Sequence, residues 1–209
     1  MKKEINSTIV GIFPTPLYSS FLNRDFTKKE INFIKKECKK ISDNNEGVVK
    51  IPKDTYILNN KIFSNLKKNL LLSVQDYFFK VLNTSNKIKP YINQSWINLT
   101  KEKNYHVPHK HPNSFLSGVL YIDTDKEKDS IRFTKDIYEQ IQITYKEFNL
   151  YNSSSWWIPV EKKQIILFPS NLTHSVDFKI GTNERISLAF NVFIKGKIGE
   201  PKLLTGLTL

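Results

Sequence analysis

The spacing of the apolar residues changes period once along this chain, and that change restricts the architecture more than any other feature. Up to about residue 88 the period is helical. Thr27 and Glu30 in "TKKE" are the two halves of a capping box. The stripe Ile31, Phe33, Ile34, Cys38, Ile41 behind it predicts a first helix to about Lys40. A second helix is expected from about Asn60 to Leu82. Its stripe is Phe63, Leu66, Leu70, Val74, Tyr77, Phe78, Val81, and its other side is mostly Lys, Asn and Gln, as in a helix covering one face of a sheet. Ahead of both, "IFPTPLY" has two prolines that forbid helix and apolar residues that suit an edge strand.

After "NTSNKIKP" the period becomes alternating. In "YINQSWINLT", Ile92, Gln94, Trp96 and Asn98 fall on one face, against Tyr91, Asn93, Ser95 and Ile97 on the other. "FLSGVLYI", "SIRFTKD", "QIQITYKEF", "WWIPV", "QIILFPS", "HSVDFKI" and "RISLAFNVFI" are further short β-rich runs separated by turn residues. Helices followed by about eight strands imply an α+β, mainly β, domain built on a sandwich or barrel. Residues 1–209 are expected to form one domain: an extended segment and supporting helices over 1–88, a β core over 89–197, and a tail over 198–209.

No apolar run approaches the roughly 18 residues of a membrane helix. The start, "MKKEINSTIVGIFPTP", has too short an apolar stretch for a secretory signal, so a cytoplasmic protein without a membrane partner is expected. The net charge of +12 would steer nucleic acid or anionic polymers. Its basic excess is mostly Lys, however, spread through an Asn- and Ile-rich chain, which favours a solvated lysine surface over a nucleic-acid face. Cys38 has no partner for an internal disulfide and lies on the first helix's apolar stripe, so it reads as a small buried hydrophobe.

Three of the four histidines fall in "HVPHKH". Residues i and i+2 of a strand share a face, so His109 and His111 can present two imidazoles together, with His106 out of that register at the pocket rim. His174 follows the apolar strand "QIILFPS", and strand ends distant in sequence can meet at one rim of a sandwich. By itself an HxH pair in a lysine-rich loop is equally compatible with an ordinary polar loop. "ERISLAFNVF" adds weight: Arg185, Ser187, Ala189 and Asn191 share one face of a strand, opposite Ile186, Leu188, Phe190 and Val192. A cation, a hydroxyl, a small residue and an amide make a poor core face and a good pocket for a dicarboxylate.

"HKHPNSFLSGVLYI", "IILFPSNLTHSV" and "ERISLAFN" together resemble the 2-oxoglutarate and Fe(II)-dependent oxygenases, in particular a bacterial and phage group related to prolyl hydroxylases. "IFPTPLY" and "QSWINL" look like the same group, so the resemblance covers most of the chain. It implies a double-stranded β-helix, or jelly roll, with the N-terminal helices packed on the major sheet. It also implies Fe(II) as cofactor, 2-oxoglutarate as cosubstrate, O₂ as oxidant, and hydroxylation of a substrate C–H bond with release of succinate and CO₂. The family's iron ligands are His, then an acid two residues on, then a distal His. Those positions hold His109, His111 and His174 here. Either the site is a three-histidine one, about one charge more positive than with a carboxylate, or His111 stands behind the ligands and another group or water fills the third position. Arg185 matches the residue that pairs with the far carboxylate of 2-oxoglutarate, Ser187 completes an Arg-x-Ser pair, and Tyr121 matches a phenol that contacts the same carboxylate. Asn98 and Asn191 are expected to line the pocket.

The chain departs from the pattern in two turns. The glycine before the "FPS" strand is replaced within "EKKQIILFPS", and the Gly and Pro usual around "SIRFTKD" are absent. The competing readings are a cupin-type dioxygenase or isomerase, whose usual glutamate a few residues after HxH is missing because "HKHPNSFLSG" contains no acid, and a non-catalytic jelly-roll protein binding nucleic acid or glycan through its basic surface. A protein side chain, a metabolite and a nucleobase all remain open as primary substrate, as does a homodimer. Tyr151, Trp156 and Trp157 in "NLYNSSSWWIP" are candidates for a lid or wall of the site, or for core.

Overall fold

The computed structural model describes residues 5–41, 47–49, 53–84, 87–136, 141 and 143–209. The capping box forms in both directions: the Glu30 N–H donates to Thr27 Oγ1 (3.2 Å) and the Thr27 N–H donates to Glu30 Oε2 (2.8 Å). Helix α1 (Lys28–Ile41) follows and buries Ile34 and Cys38. Helix α2 (Ser64–Lys80) starts a turn later than the sequence pattern predicts. Asn60 instead caps a short 3₁₀ turn, Lys61–Phe63, its side chain accepting from the Ile62 N–H (3.0 Å). The stripe Leu66, Leu70, Val74, Tyr77, Phe78 is buried as expected, whereas Val81, just past the helix, is exposed.

The strands in chain order are β1 (Tyr18–Phe21), β2 (Gly47–Val48), β3 (Ile88–Thr100), β4 (Asn104–His109), β5 (Leu116–Asp123), β6 (Ser130–Thr134), β7 (Ser155–Pro159), β8 (Gln164–Pro169), β9 (Thr173–Val176), β10 (Arg185–Ile198) and β11 (Leu207–Thr208). One sheet runs β1-β8-β5-β10-β3, with β11 extending the far end of β10; the other runs β2-β4-β9-β6-β7. Pairing is antiparallel except between β2 and β4. This is the jelly roll that the resemblance implied, within the sandwich-or-barrel class that the order of elements predicted. β1 is an edge strand, as "IFPTPLY" suggested, but it begins only after the second proline. Residues 198–209 turn back onto the sheet through β11.

Alternation sorts the larger sheet into two faces. Leu120, Ile122, Ile165, Leu167, Leu188, Phe190 and Val192 join the helix stripes in one core, while Val119, Tyr121, Ile166 and Phe168 meet Ile131, Phe133 and Val160 of the second sheet in another. Backbones and rings approach closely on the helix side: a Cβ at Gly118 would stand 2.2 Å from Phe190 Cζ. The register of β3 on β10 shifts between Asn191 and Val192, and this bulge moves Ile92 to the helix side, away from the face of Gln94, Trp96 and Asn98. Simple alternation along "YINQSWINLT" misses it.

In the run "QIQITYKEF", residues 143–148 are not a strand: they carry no sheet pairing and Ile143 and Phe148 are exposed, while Gln140 and Gln142 lie outside the described residues. In the turn before β8, Lys163 takes the left-handed conformation (φ 67°) that the missing glycine would have favoured.

Candidate active site

The histidines converge, though by a different route from simple alternation. His109 closes β4, and His111 lies two residues on, beyond the strand. Its place is set by the return of the chain: the His111 N–H donates to Ser170 O (3.0 Å) and Asn113 turns with φ 56°. His174 on β9 sits directly opposite His109 in the sheet. One ring nitrogen from each of His109, His111 and His174 can be chosen so that all lie within 4.8 Å of one another. The ring centroids are 4.2 Å apart for His109 and His174, 4.9 Å for His111 and His174, and 5.1 Å for His109 and His111.

Each Nδ1 is already engaged: His109 with Val107 O (2.8 Å), His174 with Leu172 O (3.1 Å), His111 with Ser117 Oγ (2.8 Å). A carbonyl can only accept, so His109 and His174 carry their proton on Nδ1 and leave Nε2 as a lone pair. Burial, with the charge of His109 next, pushes His111 down to about 4 and His174 down to about 3, so both are neutral bases at physiological pH. Neutral imidazoles at His111 and His174, with the His109 ring beside them, fit a divalent metal of the Fe(II) or Zn(II) kind. Among the described residues this metal-capable group contains no carboxylate.

His106 is closer to this group than its sequence register implied. The β4–β9 register shifts between His106 and His109, which turns both rings inward and stacks them at 4.3 Å. Burial foremost, and the neighbouring histidines, lower it to about 4. Its spacing of three residues from His109 hid it, because an irregular strand breaks the period of two.

Beyond the histidines, the inner face of β10 presents the residues expected of it. Ser187 lies between Tyr121 on β5 and Asn98 on β3. Arg185 is 3% exposed, donates from Nη1 to Ser130 O (2.8 Å), and its guanidinium carbon is 5.2 Å from the Tyr121 ring centre. Arg24 and Arg132 reach the acids Glu30 and Asp177, but no acid pairs with Arg185 among the described residues. The Tyr121 hydroxyl is fully buried with no hydrogen-bond partner, and burial raises its pKa against the lowering effect of the Arg185 charge. An unpaired buried cation beside an orphaned hydroxyl fits a carboxylate ligand. Asn98 and Asn191 line a cleft of about 620 Å³ that opens onto His106, His109 and His111, with Gln94 and Trp96 also on its wall.

Two expectations fall elsewhere. Trp156 and Trp157 do not wall this cleft; with Phe148 they line a separate hollow of about 410 Å³ at β7, and Tyr151 is an exposed turn residue. Trp157 is held on the outer face by Asp177 (2.5 Å from Nε1) and Arg132. β7 is an outermost strand of its sheet, separated from β4 by β9 and β6.

Residues 94–191, which hold every residue of this arrangement, match a family described as "Putative 2OG-Fe(II) oxygenase". No curated protein sequence matches the chain. Among solved structures, an oxidoreductase of the 2OG-Fe(II) oxygenase family from Burkholderia pseudomallei is similar over 84% of each chain, at 13% identity and a TM-score of 0.52. HygX from Streptomyces hygroscopicus, with nickel, 2-oxoglutarate and hygromycin B bound, is similar over 85% of this chain and 82% of its own, at 11% identity and 0.52. The α-ketoglutarate-dependent carbocyclase SnoK of nogalamycin biosynthesis is similar over 93% and 89%, at 11% and 0.54. At these identities the structures establish the shared jelly roll. The family match spans residues 94–191, and over that span the chain is similar to the 2-oxoglutarate and Fe(II)-dependent oxygenases, an enzyme class that uses iron and a small-molecule cosubstrate. That sets aside the cupin and non-catalytic readings.

Proposed function

We propose that this enzyme oxidises a C–H bond of its substrate at a metal held by His109, His111 and His174, with 2-oxoglutarate anchored through Arg185, Ser187 and Tyr121. The observation that carries this reading is the pairing of a three-imidazole group with a buried arginine that meets no acid among the described residues. With Fe(II) and 2-oxoglutarate bound, the centre supplies the oxidative chemistry: O₂ is consumed, 2-oxoglutarate leaves as succinate and CO₂, and the substrate is hydroxylated.

The chain's own residues bind, orient and shield. Arg185 offers a planar fork to the far carboxylate, and Tyr121 and Ser187 offer hydroxyls beside it. Their burial strengthens each of these contacts and excludes water. Asn98 and Asn191, on the cleft wall, orient whatever enters. The primary substrate approaches through that cleft, from the side of Tyr56 and Asn113. HygX, of the same fold, holds a small molecule together with 2-oxoglutarate, which supports a metabolite-sized occupant here.

Anaerobic titration with Fe(II) and 2-oxoglutarate tests the reading. A metal-to-ligand charge-transfer band is expected in the wild type and absent in Arg185→Ala. Iron affinity should collapse in His109→Ala, His111→Ala and His174→Ala and survive in His106→Ala. Loss confined to His106→Ala would overturn the ligand set.

A further inference from the structure

The ring of His111 is tied to a chain of serine hydroxyls drawn from three segments. His111 Nδ1 lies 2.8 Å from Ser117 Oγ, which lies 2.8 Å from Ser170 Oγ, which lies 2.8 Å from Ser114 Oγ. Ser114 Oγ reaches Leu116 O (3.1 Å) and Val192 O (3.3 Å). Ser117 and Ser170 are 0% and 1% exposed, which leaves bulk water little access to their hydroxyls.

A hydroxyl has one proton and a carbonyl has none, so the far end sets the sense of the whole chain. Ser114 must donate to a carbonyl. Ser170 must then donate to Ser114, and Ser117 is left to donate to Ser170. Its other acceptor, Asn191 Oδ1 at 3.4 Å, would spend the same proton. Ser117 therefore has none for His111, and His111 must donate through Nδ1–H.

We propose that Ser114, Ser170 and Ser117 are positioning residues that lock His111 in the Nδ1–H tautomer and so aim its Nε2 lone pair at the metal, a role resting on the metal-site reading above. His109 and His174 need no such device, because a backbone carbonyl fixes each of them directly. A serine beside an imidazole can donate or accept, and only the two further hydroxyls remove the choice. The chain supplies by proton order what a carboxylate in this position would supply by charge.

The consequence reaches two hydroxyls away. In Ser114→Ala the Ser170 proton loses its acceptor and turns to Ser117, whose own proton goes to His111 Nδ1, at 2.8 Å, in preference to the longer contact with Asn191 Oδ1, at 3.4 Å, moving the imidazole proton to Nε2. Ser170→Ala should do the same by freeing Ser117 directly. The metal-free protein, labelled with ¹⁵N-histidine, reads this by long-range ¹H–¹⁵N correlation. All three ligand histidines should show Nδ1–H in the wild type. His111 alone should change to Nε2–H in Ser114→Ala and Ser170→Ala, and Ser114→Thr should restore it. Co(II) titration, followed by its d–d absorption, should weaken by about 10-fold or more in both alanine variants. An Nε2–H tautomer at His111 in the wild type, or Nδ1–H retained in folded Ser114→Ala and Ser170→Ala, overturns the proposal. Failure of the wild type to bind Co(II) would overturn the metal reading instead, and is told apart because the tautomers are read without metal.

Discussion

Arg185→Met separates an anchor for cosubstrate from a cation that merely holds the fold. The guanidinium donates to Ser130 O and lies 5.2 Å from the Tyr121 ring centre, with no acid paired to it among the described residues. In the free protein, methionine loses one hydrogen bond worth about 1 kcal/mol and a cation–π contact of about 1 kcal/mol. It also relieves the desolvation of an unpaired buried ion, a cost of several kcal/mol. These terms oppose one another, so the ligand-free variant should melt within a few degrees of the wild type, or above it. With ligand the balance changes. Two charge-assisted hydrogen bonds to a carboxylate contribute about 1.5–3 kcal/mol each, so their loss weakens 2-oxoglutarate by about 100-fold or more. At a concentration of 100 Kd, 2-oxoglutarate stabilises the wild type by about 2.7 kcal/mol, which is roughly 5–10 °C in a chain of this size. A 100-fold weaker site leaves about 0.4 kcal/mol, roughly 1 °C. Calorimetry of the Ni(II)-loaded protein, in which turnover is blocked, measures both quantities. A variant destabilised by more than about 3 kcal/mol without ligand, yet keeping the full 2-oxoglutarate shift, would refute the reasoning.

Burial first, and then the charges of Glu184 and Glu37, push the Cys38 thiol up to about 11 from 9.0. Its folded pKa is the higher one, so the stability it contributes is complete below pH 9 and is lost as pH rises through about 11. Denaturant unfolding across that window should show a steeper alkaline fall in the wild type than in Cys38→Ala, and a thiol reagent at pH 8 should label Cys38 only on unfolding. The ion pair of Lys179 and Asp129 (2.6 Å) is buried on both sides and tied to Asn183. Lys179→Met alone should therefore cost about 3–5 kcal/mol in urea unfolding, because it strands the carboxylate, and adding Asp129→Leu should recover part of that loss.

What the sequence disclosed, and what it hid, follows from which residues obey a strict period. From Arg185 to Val192 the inward residues of β10 are polar or small and the outward ones apolar, so Arg185, Ser187 and Asn191 could be assigned to one face from the sequence alone. The stripes of α1 and α2 were equally legible, because each repeats over several turns. Misreadings fall where a period breaks. The β3 bulge relocates Ile92, the β4 irregularity brings in His106, and residues 143–148 of "QIQITYKEF" carry no sheet pairing. The serine chain was partly legible, since Ser117 shares its face with Val119 and Tyr121. Ser114 and Ser170 come from turns, whose meeting depends on backbone bonds such as His111 N–H to Ser170 O.

The charge of the site makes a further demand. A divalent cation on three neutral imidazoles keeps its full charge, and Arg185 adds another, with no acid in the metal-capable group among the described residues. Each positive charge raises the cost of the other in a low-dielectric space. The dianionic cosubstrate relieves both, so metal and 2-oxoglutarate should bind with positive coupling, and by linkage each must raise the other's affinity by the same factor. Ni(II) titrations with and without saturating 2-oxoglutarate, and the reverse pair, should give equal factors of about 10-fold or more, within the usual range for coupled sites. His111→Asp, which places a carboxylate on the metal, should keep metal binding but shrink the factor. Independent binding in the wild type, or a factor unmoved by His111→Asp, would show that the site's charge is balanced by something other than its ligand.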